Sequence, residues 1–171
     1  MVELSGNTTL SKQRAKPSKI RQMIIFFPVV LKDLFKLKHS YPWPRPDLCP
    51  SCKTSRVWGH GYVTACFDGF DVPLILRRYL CPLCGCVIRL RPEGYFSRFQ
   101  ASIKIIRSNL SHRIETGRWP PGGGSHRRKG HWFMGLRRRV TAYLGNAWVS
   151  RLMEAFDNFI NQGIIPVSRS I

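Results

Sequence analysis

The sequence predicts an α+β fold: a small β unit held by four cysteines, followed by a three-helix region of helix-turn-helix type. Three observations predict it. Two Cys-x-x-Cys pairs stand 28 residues apart, and strand-like runs fill the gap between them. After Ser97 the apolar period lengthens from two to about 3.6 residues, the repeat of a helix. At 171 residues the chain has room for one domain or two very small ones. A piece of about 50 residues inside it would be marginal without a covalent or metal staple.

Residues 1–40 read as a basic N-terminal segment. The first 22 are polar and carry few large apolar anchors, which predicts disorder. Residues 23–38 predict a short apolar helix, with Phe27, Leu31, Leu34 and Phe35 on one face and Pro28 in its first turn. The longest apolar run, Ile24 to Leu31, falls far short of the roughly 20 residues that span a bilayer. No small-residue cleavage site follows it, so it is not read as a signal peptide. The expectation is a cytoplasmic protein with reduced thiols and no membrane partner, nucleoid-associated when bound to DNA.

The stretch YPWPRPDL, residues 41–48, has prolines at alternate positions and makes a stiff lead-in to a β unit over 41–94. Within that unit RVWGHGYVTACF, VPLILRRYL and CVIRLRP read as strands, the first two separated by the turn-rich DGFD. A helical, basic region follows over 95–162. Its first helix carries Phe99, Ile103, Ile106, Leu110 and Ile114 at steps of three and four, with Ser97 as N-cap. GRWPPGGGS interrupts it, a second helix starts after Ser125, and Gly145 ends that one. A third, from about Ala147, places Trp148, Leu152, Phe156 and Phe159 on one face. Residues 163–171 form a tail.

Cys49-Pro-Ser-Cys52 and Cys81-Pro-Leu-Cys84 carry the chemistry. Each Cys-x-x-Cys turn presents two thiolates to one ion, and two such turns joined by a hairpin complete the tetrahedral shell that Zn²⁺ prefers. A thioredoxin-like redox site needs one such pair inside a βαβ pattern, and a disulfide framework needs an oxidising compartment; neither has support here. A ribbon that keeps its thiols but binds no metal is the remaining alternative. Cys86 competes with Cys84 for the fourth position. Cys66 reads as packing, and His60 as a residue between two glycines outside the shell. Four thiolates leave no open coordination position, so the zinc would be structural.

The charge points to a partner. There are 28 Lys and Arg against 9 Asp and Glu, a net +19 with pI ≈ 10.6, and Arg outnumbers Lys 19 to 9. Such a field concentrates polyanions, and arginine forks match phosphate and guanine. Double-stranded DNA is the first partner to expect. The candidate contacts are Arg127, Arg128, Lys129, Arg137, Arg138 and Arg139, with Arg127, Arg128, His131, Arg138 and Arg139 able to share the side of the second helix opposite Trp132 and Val140. An enzyme is not expected. Between Gly94 and Met153 the only acid is Glu115, and metal-dependent nucleases need carboxylates for Mg²⁺.

The run of CPxC, WGHGY, RRYLCPLC and RPEGYFSRFQASI resembles the zinc-ribbon and helical segments at the front of bacterial insertion-sequence transposases, and short transposon-associated proteins that carry such a segment alone. The likeness covers roughly residues 41–145. It implies Cys49, Cys52, Cys81 and Cys84 as zinc ligands and transposon-end DNA as the target. It also implies a separately encoded transposase or integrase as partner. The acidic catalytic domain of those enzymes is missing here, so their activity does not carry over; the expectation is an accessory or remnant. Two other readings stay open: a protein–protein adaptor, and an RNA-binding module stacking bases on Tyr62, Phe67, Tyr79 and Tyr95.

Overall fold

The computed structural model describes residues 21–167 except Gly123. The basic segment 1–20 and the last residues of the expected tail lie outside the described residues. What it describes is α+β: a four-stranded sheet, four helices and two short 3₁₀ turns.

The strands are β1 (Gln22–Phe27), β2 (Trp58–Ala65), β3 (Leu74–Leu80) and β4 (Val87–Pro92), in the spatial order β1-β4-β3-β2. β2 and β3 form the expected hairpin, and β4 pairs antiparallel with β3. β1 was not expected. The predicted helix over 23–38 is instead a strand, QMIIFF, followed by α1 (Leu31–Leu37). The β-branched and aromatic residues of β1 suit a pleated surface better than a helix, and Pro28 closes the strand where it would have broken a helix. β1 runs parallel to β4, from Gln22 beside Val87 to Phe27 beside Pro92. The sheet therefore draws in residues well before position 41. Phe27, expected on a helical face, packs with Ile25 against the cluster of Cys49, Val57, Tyr79, Ile88 and Leu90. Leu34 is the buried residue of α1 and meets Phe67, Leu74 and Leu76.

The helices after the sheet are α2 (Ile103–Thr116), α3 (His126–Leu144) and α4 (Leu152–Asn161). α2 begins five residues later than the Ser97 cap predicts. Arg98 adopts a left-handed φ of 69°, and Tyr95 bridges to Ser102, so the chain cannot be helical through this stretch. Ser102 takes the cap role, its Oγ accepting from the Ile105 N–H. α3 begins after Ser125 as predicted, with Oγ of Ser125 accepting from the Arg128 N–H, and Gly145 caps its end. α4 starts later than Ala147, because Asn146–Arg151 winds as a 3₁₀ turn.

Apolar faces of these helices form one cluster: Ile106 and Leu110 of α2, Trp132, Leu136 and Val140 of α3, and Leu152, Phe156 and Phe159 of α4. Ile114, the last residue of the predicted α2 face, is exposed. Arg107 of α2 clasps Asp157 of α4 through two bonds of 2.8 and 2.6 Å, which holds the Asp157 carboxyl below the usual carboxylate range.

Sheet and helices meet at the β2–β3 turn. Asp68 N donates to Gln100 O, Ile103 N donates to Gly94 O, and Arg91, buried at 4% exposure, donates to Phe99 O. Arg128 of α3 grips the Asp68 carboxylate through bonds of 3.0 and 2.6 Å. Among the described residues no helix is long and apolar enough to cross a membrane.

A candidate metal centre and a basic helix

The two Cys-x-x-Cys turns have the same local construction. In the first, Lys53 N donates to Cys49 O at 2.9 Å and Cys49 N donates to Thr54 O at 2.8 Å. In the second, Gly85 N donates to Cys81 O at 2.9 Å and Cys81 N donates to Cys86 O at 2.9 Å. Each turn ends on a left-handed residue, Lys53 at φ 61° and Gly85 at φ 67°. Glycine adopts that conformation freely, whereas lysine does so at a cost. Pro50 and Pro82 pre-set φ at the second position of each turn.

These turns bring four sulfur atoms together. The Sγ atoms of Cys49, Cys52, Cys81 and Cys84 all lie within 4.8 Å of one another. They approach crosswise: Cys49 Sγ is 3.7 Å from Cys84 Sγ, and Cys52 Sγ is 3.5 Å from Cys81 Sγ. A tetrahedral ion bound to thiolates at about 2.3 Å would space its ligands by about 3.8 Å along each edge. The quartet fits a metal ion, and among the described residues no carboxylate or imidazole joins it.

The electrostatics of the bare thiols suit a cation. Burial opposes ionisation of Cys49, but the N–H groups of Cys52 and Ser51 and the thiols of Cys84 and Cys81 outweigh it and lower its pKa to about 7. The Thr54 N–H favours the thiolate of Cys52, yet burial and the sulfurs of Cys81, Cys84 and Cys49 push that thiol up to about 12. Thiolates held this close repel one another, and a bound cation would offset that charge.

Cys86 stands in the second turn where Thr54 stands in the first, one residue past the knuckle. Fully buried, it packs with Tyr79, Ile88 and Leu90. Burial and the neighbouring sulfurs raise its pKa to about 11, so it stays a neutral thiol. Cys84, not Cys86, is in the quartet. Cys66, expected to be packing, is exposed. His60 is exposed in β2, apart from the quartet.

The basic residues expected on one helical face are spread around α3. Arg127, Arg137 and Arg138 are exposed. Arg128 is turned toward the sheet, bonded to Asp68 and lying 5.2 Å from the Trp132 ring. Arg139 is half-buried over Tyr143, and Arg137 lies over Phe133. Lys129 corrects the expectation most sharply. Its side chain is buried at 1% exposure, and Nζ donates to Pro120 O at 2.9 Å and to Gly122 O. The carbonyls of Pro120 and Gly122 in the connection before α3 take their donors from this one ammonium group.

What α3 does present outward is a stripe the charge count did not single out: Arg127, His131, Met134, Arg138 and Thr141, at steps of four, three, four and three. All five are exposed. Helical spacing alone could have found it, had Met134 and Thr141 been weighed with the arginines. No protein-family model, curated protein or solved structure matches this chain.

Proposed function

We propose that this is a zinc-stapled protein that binds double-stranded DNA through α3 and performs no catalysis. The observation that carries the reading is the composition and exposure of that helix. α3 holds six Lys and Arg and no acid over 19 residues, and among the described residues Arg127 and Arg138 of its outward stripe have no carboxylate partner. Arginine to guanine or phosphate, and methionine or threonine to a thymine methyl, are the contacts such a stripe offers in a major groove.

Zinc is the ion that a closed four-thiolate shell favours, and its role is structural. It would tie the two turns that carry β2, β3 and β4 into a unit that apolar burial alone would leave marginal. The resemblance in the sequence supports an accessory or remnant of a mobile element, acting beside a separately encoded transposase or integrase. The helices after the sheet are read as a helix-turn-helix, with α3 as its recognition element.

The test is duplex binding by the zinc-loaded protein across a salt series. Affinity is expected to fall steeply with salt, and Arg127→Gln with Arg138→Gln to flatten the slope by about one unit per arginine removed. An affinity indifferent to salt, or unchanged in the double variant, sinks the α3 reading. Fewer than about half an equivalent of zinc in purified protein sinks the ribbon reading.

A further inference from the structure

β3 and β4 place two arginines side by side. Arg78 is directly opposite Arg89 in their antiparallel register. Like charges in that relation repel, and a sheet ordinarily avoids the pairing or sets a carboxylate between. Here nothing is set between. Among the described residues neither guanidinium has an ion-pair or hydrogen-bond partner, and the Nε of each is buried without one. Arg91, two residues beyond Arg89 on the same face, adds a third positive charge.

The backbone makes room for this cluster. β2 carries a bulge between Gly59 and Tyr62, where it passes Arg78. Gly61, at φ 71°, stands at the bulge, and a Cβ there would lie 3.9 Å from Nη2 of Arg78. Register then puts an aromatic ring on the same face, one diagonal step from Arg78. Trp58 is opposite Leu80, which shares a face with Arg78 two residues earlier. Trp58 is 57% exposed. Leu80, Val87 and Ile24, at this end of that face, are only half-buried, whereas Leu76 and Arg91 farther along the same face are buried. Of the four aromatic residues expected to stack bases, Phe67 and Tyr79 are buried and Tyr62 lies under Arg77.

We infer that this half-open end of the sheet face is a binding site for single-stranded DNA, with Arg78 and Arg89 gripping a phosphodiester and Trp58 stacking the adjoining base. Guanidinium forks match a phosphate oxygen pair, and an exposed indole accepts any base because every base has a π-face. A duplex would hide its bases from Trp58, so the site and the α3 stripe differ in the form of DNA they take. The site goes beyond the α3 reading and does not depend on it.

The test uses zinc-loaded full-length protein, a labelled oligo-dT of about twelve nucleotides and a labelled duplex, followed by anisotropy at low salt. Arg78→Gln with Arg89→Gln is expected to weaken oligo-dT binding on the order of tenfold or more while duplex affinity moves less than about threefold. Trp58→Leu, at an exposed position, is expected to weaken oligo-dT on the order of tenfold with zinc content and circular dichroism unchanged. Arg127→Gln with Arg138→Gln should show the reverse pattern. The inference is overturned if the protein binds duplex but not oligo-dT, if both sheet variants leave oligo-dT affinity unchanged, or if every variant moves the two ligands in parallel. Loss of duplex binding alone would count against α3 and leave the sheet site standing.

Discussion

Cys84 and Cys86 sit two positions apart and differ in everything that follows from backbone position. The equivalence of Thr54 and Cys86 makes the distinction physical: the residue after the left-handed position accepts the closing hydrogen bond through its carbonyl, and its side chain stays outside the quartet of sulfurs. Cys84→Ser is therefore expected to release the ion and unfold the knuckles, while Cys86→Ala keeps a full equivalent of zinc and loses about 1 kcal/mol or more of packing. Metal analysis beside thermal unfolding separates the two, and zinc loss in Cys86→Ala with retention in Cys84→Ser would reverse the ligand assignment. The four clustered cysteines were legible because a Cys-x-x-Cys turn is local, and its spacing alone aims both sulfurs. Lys129 was not legible. A charge run read as letters hides rotation, and at about 100° per residue Lys129 points to the opposite side of α3 from its neighbour Arg127. Only the unpartnered carbonyls of a loop nine residues away decide that it is buried.

At the scale of elements, that lysine fastens the connection between α2 and α3. Lys129→Met keeps the apolar stem and removes both donors, stranding the carbonyls of Pro120 and Gly122. The expected outcome is a destabilisation of about 1–3 kcal/mol with duplex affinity changed less than about twofold. A variant of unchanged thermal stability that binds DNA poorly would return Lys129 to the list of phosphate contacts. The helices themselves were readable from apolar period, because Ile106, Leu110, Trp132, Leu136, Leu152 and Phe156 all face a shared cluster. Their starts were not. Ser97 and Ser102 both precede apolar residues, and the choice between them is made by a bridge from Tyr95 and by the backbone of Arg98. β1 was misread for a related reason. IIFFPVVL is short and apolar throughout, without a period to tell strand from helix, and what makes it a strand is a partner far along the chain.

In the whole molecule the buried apolar residues fall into separate clusters. One lies among α2, α3 and α4, and another lies under the cysteines and β4. If the quartet holds zinc as proposed, removing it should therefore act unevenly. With a strong chelator, the cysteine-bearing end of the sheet is expected to lose its fixed structure, read as loss of protection of the β3 and β4 amides in hydrogen exchange, while most of the helical circular dichroism survives. Complete loss of helix on chelation would show that the sheet and helices fold as one unit, joined through Asp68 and Arg128 more firmly than the separate clusters suggest.

The parallel pairing of β1 with β4 also sets a schedule. Gln22 leaves the ribosome 65 positions ahead of Val87, its partner. At about 5–20 residues per second, QMIIFF waits for several seconds with no strand to join. Both backbone edges of an uncharged, β-prone hexamer are open during that interval, the condition in which nascent chains find one another. Lysines and arginines at 12, 14, 16, 19 and 21 precede it directly, and like charge at that place opposes the pairing of neighbouring copies until β4 is made.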